Sequence, residues 1–391
     1  CATIWASGLS TCIRSSNASS RTAISAKSRG WIMIGICAML NRRSFLTASG
    51  LTAFGLSLGQ SALARGGQDG QQNLTLYNWD TYIGETTLED YKDLSGIHVE
   101  QRLFATNEEL LRKMRSRPSR YDIIVPSHDF AERMIAEKLL HPLESSMIPN
   151  LSNIDPVFRN PSYDPNNRYT VPYTFLALGI GYRKSKISDI GHSWKSVLED
   201  KSFKGRVGWI SDADAMFRLY AKYLGMPLNG LTARDIDLIE QKMHANRSNV
   251  KLFHDDDGQD LLLQREIDLV IEYNGDMANA IAEDSDIGFF IPDEGTALTV
   301  DTLCIPANAP NPELAHNFIN FMLSADAGRK VTETILYPTP NAAAHALLPD
   351  DIRNDPALSA RSIDFRKSDF TRYLPEVAEL VEEAFVRVKS R

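Results

Sequence analysis

From Asn73 onward, apolar stretches of two different periods take turns along the chain, and this alternation constrains the fold more than any single motif. Residues 74–79 (LTLYNW) form an apolar strand. Thr86 then opens a helical pattern through Leu88 and Tyr91 that Gly96 stops. Residues 98–104 (HVEQRLF) alternate with period two, as a strand does. Asn107 is the expected cap of a helix with Leu110, Leu111 and Met114 on one face, ending near Pro118. Residues 121–127 (YDIIVPS) read as a short strand covered on both faces, and DFAERMIAEKLL follows as an amphipathic helix. Strand, helix, strand, helix, strand, helix predicts an α/β fold with a mostly parallel sheet and right-handed crossovers. In such sheets, ligands bind beyond the carboxyl ends of the strands. Two such ends carry unusual residues here: Trp79, Asp80, Thr81 and Tyr82, then Pro126, Ser127, His128 and Asp129.

Residues 168–187 (RYTVPYTFLALGIGYRKSKI) form a long extended run that suits a chain crossing between lobes. Residues 194–291 repeat the strand and helix alternation, and residues 289–309 form a second extended run that can return. PELAHNFINFMLSADAGRKVTE and the closing PEVAELVEEAFVRVK are amphipathic helical regions. The expected division is 73–172 with about 292–330 as one lobe, and 173–291 with about 331–391 as the other. Two lobes joined by more than one crossing strand enclose a cleft that can hinge.

The head of the chain is different. Residues 1–64 contain no acid but six bases, including Arg42 and Arg43. Paired arginines before Phe45 and Leu46, a short apolar stretch and Ala62-Leu63-Ala64 resemble a twin-arginine export signal over residues 39–64. Residues 1–38 are read as upstream translation that is not native, and 65–72 (RGGQDGQQ) as a loose linker. The export reading predicts a periplasmic protein that keeps no membrane insertion once the signal is removed. Six of the 42 bases lie in the head, so residues 65–391 carry 36 bases against 50 acids, a net of about −14. That balance disfavours nucleic acid and suits a cationic partner.

Catalytic signals are weak. One Cys beyond the head, Cys304, and scattered His build no metal framework, and no cofactor is implied. No nucleophile elbow, zinc helix motif or phosphate loop is present. Ser127, His128 and Asp129 are sequence neighbours, whereas a triad is a spatial arrangement. The chain instead offers carboxylates beside aromatics at strand ends: Trp79-Asp80 with Tyr82, Ser127 with Asp129, Trp209 with Asp212 and Asp214, Tyr273 with Asp276, and Asp301. A carboxylate satisfies an ammonium by a charge-assisted hydrogen bond, and an aromatic face adds cation–π attraction. A linear di- or polyamine needs both along one groove. Taken singly, each Asp also reads as a helix cap or loop residue, Asp212 and Asp214 above all.

The stretches LTLYNWDTYIG, NEELLRKM, YDIIVPS, YTVPYTFLALGIGY, FKGRVGWISDADAMF, IEYNGDMANA, DTLCIPANAPN and YPTPNAAA run the whole length beyond residue 73. In this order they resemble the periplasmic spermidine/putrescine-binding proteins of ABC importers. The resemblance implies a two-lobed, type II periplasmic binding fold, a polyamine-class ligand and delivery to membrane permease subunits; a monomer is expected. It assigns Trp79 and Tyr82 to an aromatic lid, with Asp80 beside them, and matches Ser127, Asp212 and Asp301 to binding positions. It makes Asp276 an ammonium anchor with Tyr273 nearby. The chain departs from the family at Asp129, where an aromatic is usual, at Ala215, where an acid is usual, and at Tyr273, where Trp is usual. The aromatic box is thinner and the acids are redistributed.

The expected mechanism is capture by closure. Asp212 and Asp276 from the second lobe and Asp80 or Asp301 from the first would hold the ammonium groups, with Trp79, Tyr82 and Tyr273 around the methylenes. A sensor that reports the same ligand to a membrane receptor is the main alternative. A cleft hydrolase acting through His128 is a rival of another class.

Overall fold

A computed structural model describes residues 73–116, 120–255, 257–359 and 362–390. The export signal, the segment before it and the 65–72 linker lie outside these residues. The strands are β1 (Asn73–Asn78), β2 (His98–Leu103), β3 (Ile123–Ile124), β4 (Thr170–Arg183), β5 (Val207–Ile210), β6 (Val250–His254), β7 (Leu269–Tyr273), β8 (Ile287–Phe290), β9 (Ala297–Cys304) and β10 (Asp369–Phe370). The first three helices are α1 (Thr87–Ser95), α2 (Asn107–Arg115) and α3 (His128–Ala136), followed by α4 (Lys195–Leu198), α5 (Ala213–Tyr223) and α6 (Ala233–Asn246). The rest are α7 (Gly258–Leu263), α8 (Asn274–Glu283), α9 (Pro312–Met322), α10 (Ala325–Ile335), α11 (Ala342–Leu347), α12 (Asp350–Arg353) and α13 (Pro375–Lys389). Among the described residues, no helix is long and apolar enough to cross a membrane.

The strands order as β2-β1-β3-β9-β4-β7-β5-β6, with β10 beside β9 and β8 beside β4. Each half is a parallel set flanked by antiparallel crossing strands: β2, β1 and β3 run parallel, as do β6, β5 and β7. The fourteen-residue β4 serves both halves. Its residues 170–177 pair with β9, and 178–183 pair with β7 and β8. The 289–309 run divides into the end of β8, a turn with Gly295 at φ 85°, and β9. Pro292 and Gly295 interrupt what the apolar pattern reads as one stretch.

Two cores follow from the pattern. Leu74, Leu76, Ile123, Phe175, Val300 and Phe318 lie in one. Trp194, Trp209, Phe217, Tyr220, Ile271 and Phe385 lie in the other. Burying each such side chain is worth about 1.5–3 kcal/mol. Val331, Ile335 and Ile363, grouped with the second lobe by sequence, pack into the first core, because the apolar face of α10 docks on that side. Val377, Val381 and Phe385 of α13 pack into the second core as expected.

Local signals set the helix starts. Gly96 ends α1 at φ 75°, a conformation that glycine adopts without strain. Thr106, one residue before the expected Asn107, caps α2 by accepting the Glu109 amide at 3.1 Å. That frees the Asn107 side chain for the cleft.

Candidate ligand-binding cleft

The carboxyl ends of β1, β3, β5, β6 and β7 open on one cavity of about 870 Å³. Trp79 follows β1, Ser127 and Asp129 follow β3, Asp212 follows β5 and Asp255 follows β6, with Tyr273 ending β7; all of these line it. The parallel halves thus point their strand ends, and the helix N-termini that follow, at a shared space.

On the first side, the Trp79 indole N–H donates to the Val125 carbonyl at 2.9 Å, and its ring lies 4.4 Å from that of Phe104. The Asn107 amide brackets Ser127: its Nδ2 donates to Ser127 Oγ at 3.0 Å, and its Oδ1 accepts the Ser127 amide at 3.1 Å. Ser127 Oγ in turn donates to Asp301 Oδ1 at 2.7 Å. Asp129 stands in the first turn of α3. Burial pushes its carboxyl up to about 6, and nearby Asp214 adds to this, against the backbone amides that favour its charge.

On the second side, Asp212 caps α5 by accepting the Ala215 amide at 2.9 Å. The cleft walls hem in its carboxyl and raise it to about 6, with repulsion from Asp214, Glu382 and Asp129 added. By area the residue is nonetheless exposed. Both statements hold in a concave site, where atoms surround a group that cavity water still touches. Tyr273 is held by Glu272, whose Oε1 accepts the Tyr273 amide at 2.8 Å.

Four expected site residues do not line this cavity. Asp80 is exposed and accepts the Thr81 amide at 2.9 Å, in a turn where Thr81 takes φ 49°. Tyr82 and Asp301 are buried behind Ser127. Tyr82 Oη donates to Asp301 Oδ2 at 2.8 Å and lies 2.6 Å from Thr174 Oγ1. Burial pushes Asp301 up to about 6, with the Ser127 and Tyr82 hydroxyls opposing. Asp276 accepts a hydrogen bond from Tyr337 Oη at 2.7 Å, and burial raises its pKa. Gly275 admits this tyrosine: a Cβ there would sit 2.4 Å from the Tyr337 ring. Tyr337 also meets Tyr82 edge to face at 5.4 Å. Asp80 thus sits in an exposed turn, Tyr82 and Asp301 form a buried pair next to Ser127, and the half-buried Asp276 is held by Tyr337.

The Ser-His-Asp neighbours form no triad. His128 is buried: its Nδ1 accepts the Val300 amide at 3.2 Å, which leaves Nε2–H to donate to the Thr371 carbonyl at 2.6 Å. Burial pushes its pKa down to about 4. Ser127 turns to Asp301 instead, so no nucleophile–base pair exists here. Trp209 lies in the core and donates to the Val197 carbonyl.

Sequence reasoning missed the cleft's cations and its cover. Arg133, Arg218 and Arg372 line the cavity with Tyr373. The buried Arg218 pairs with Asp214 at 2.6 Å, an i,i+4 spacing that is legible in ADAMFR. It also donates to the Arg372 carbonyl at 2.7 Å. Arg372 in turn pairs with Glu132 of α3. The segment around residues 370–373 therefore straps one half to the other, and no local motif announces it. Seven carboxylates against three guanidinium groups leave the lining acidic. Such a surface suits a small cation with an apolar middle.

A family model described as bacterial extracellular solute-binding protein matches residues 88–360. The chain is 30% identical over 341 residues to a spermidine/putrescine-binding periplasmic protein of Escherichia coli, covering 87% of this chain and 97% of that one. It is 27% identical over 345 residues to a putrescine-binding periplasmic protein of the same organism, covering 82% and 92%. The solved spermidine/putrescine ABC transporter substrate-binding protein of Streptococcus pneumoniae superposes with a TM-score of 0.77 at 26% identity, over 82% of this chain and 99% of that one. The fold is thus the two-lobed α/β fold of that protein. By the extent of these matches, the chain belongs to the bacterial extracellular solute-binding protein family.

Proposed function

We propose that this chain is the solute-capturing component of an ABC importer, that it is exported by the twin-arginine signal at residues 39–64, and that it binds a linear di- or polyamine in the periplasm. The observation that carries this reading is the opposition of Asp129 and Asp212. They come from different halves and line one cavity, and the Asp129 charge adds to the pressure against ionisation of Asp212. An ammonium between them replaces that repulsion with two charge-assisted hydrogen bonds. Trp79 and Tyr273 offer aromatic faces for the methylenes, each worth about 0.5–2 kcal/mol with a cation. A ligand touching both halves gains contacts in the closed state that the open state lacks, so binding shifts the population toward closure. Asp301, which also accepts the Tyr82 hydroxyl, holds Ser127 in place at the cleft. The relatives' names agree with an amine as ligand and with a place in an ABC transporter.

A thermal-shift screen against putrescine, cadaverine, spermidine, spermine, agmatine and small amino acids tests this. A melting point that rises with amine concentration supports it. A rise only with amino acids, or no rise at all, contradicts it.

A further inference from the structure

The three guanidinium groups of the cleft are not equivalent. Arg218 is neutralised by Asp214 and Arg372 by Glu132. Arg133 makes no such ion pair among the described residues: Glu137, just past the end of α3, feels its charge but is paired with Arg115. The Arg133 guanidinium lies 4.7 Å from the centre of the Phe130 ring and 4.3 Å from that of Tyr373. All three residues line the cavity. Arg133 also sits at i+4 from Asp129 on the same helix, about 6 Å along its axis. Asp129 spends its hydrogen bonds on backbone amides, so the two side chains do not cancel each other.

An ammonium on an aromatic face is what a polyamine site supplies to each cationic group. At Phe130 and Tyr373 the protein fills that role with its own cation. We infer that Arg133 is a built-in occupant of the distal cation position, and that it selects short diamines against longer polyamines. A diamine held between Asp129 and Asp212 has no further charge to place. A triamine or tetramine whose additional ammonium reaches Phe130 and Tyr373 meets a like charge there and finds both ring faces taken. This inference rests on the amine-binding reading.

Titration calorimetry with putrescine and spermidine on the wild type, Arg133→Gln and Arg133→Lys tests it, with thermal melts to verify folding. The wild type prefers putrescine. Arg133→Gln raises the ratio of spermidine to putrescine affinity about tenfold, the scale of removing one like charge a few ångströms away at a partly wet site. Arg133→Lys keeps the ratio near the wild-type value, because the cation remains. Arg133→Met, equally neutral with an apolar stem, reports the same ratio if Gln at this position unfolds the protein. A wild type that prefers spermidine, an unchanged ratio in both neutral variants, or a Lys variant that shifts as far as Gln overturns the inference. Failure of the wild type to bind either amine brings down the amine reading and this inference together, whereas binding with an unmoved ratio removes only the latter.

Discussion

Asp301 and Asp212 carry the same chemical group, and both are pushed up to about 6 by removal from solvent, yet their surroundings divide their roles. Asp301 is buried and holds two hydroxyl donors, Ser127 and Tyr82, one on each oxygen. Asp212 spends one oxygen on a helix cap, and the charges of Asp214, Glu382 and Asp129 add to the rise of its pKa. The first is satisfied by the protein and fixes the floor of the cleft. The second is left for a partner that the protein does not supply. A raised pKa alone would not tell the two apart, but the donor count does.

The sharpest way to break this comparison is Asp212→Asn, which keeps a capping side chain and removes the charge. Amine affinity should fall about 100-fold by calorimetry, the lower end of what unpairing an ion pair costs. The melting point should barely move. Normal affinity would reduce Asp212 to a cap. Asp301→Ala should show the opposite balance, with stability reduced by about 2–4 kcal/mol in urea because two buried hydroxyls lose their acceptor. Its effect on affinity should be smaller than that at Asp212, and the reverse ranking would erase the distinction.

A pH series sharpens the same contrast. The folded-state pKa of Asp129, Asp212 and Asp301 lies above the ordinary carboxyl value of 3.8, at about 6. The native state therefore holds protons that the unfolded chain has lost. The stability these groups contribute is present below the unfolded pKa and is lost as pH rises through about 6. Cation binding runs the other way, since it needs the charged carboxylates. Affinity should fall about tenfold between pH 7.5 and 5, while the ligand-free protein gains stability from the same groups. An affinity that is flat over this range would detach Asp129 and Asp212 from the ligand. The smallest effect is expected at the strap. Glu132→Gln removes a pair that is already complete inside the protein and should cost no more than about 1 kcal/mol in stability.

Most of the frame was legible in the sequence. Continuous apolar runs and period-two runs located the strands, and LTLYNW, YDIIVPS and RVGWIS placed their carboxyl ends where the cleft forms. Trp79, Ser127, Asp129, Asp212 and Tyr273, singled out by strand-end position and by the family resemblance together, line the cavity. Asp80 stands outside the cavity lining, in a turn whose left-handed Thr81 (φ 49°) no apolar pattern announces. Tyr82 and Asp301 lie 219 positions apart and meet through a direct hydrogen bond, while a bridge pairs Ser127 with Asp301, and local pattern reveals neither contact. The amphipathic pattern of DFAERMIAEKLL singles out no role for Arg133. Its role depends on Tyr373, which reaches it from the far end of the chain.

The most direct test of facing carboxylates that share a cation is proton release on binding. Putrescine titrated at pH 6 in buffers of different ionisation enthalpy should give heats that differ between buffers, because the bound ammonium lowers the pKa of Asp129 and Asp212 and expels their protons. At pH 8 the buffer dependence should vanish, since those groups are already ionised. Binding at pH 6 with no proton release would contradict the account, for the ligand would then be held by groups other than these two.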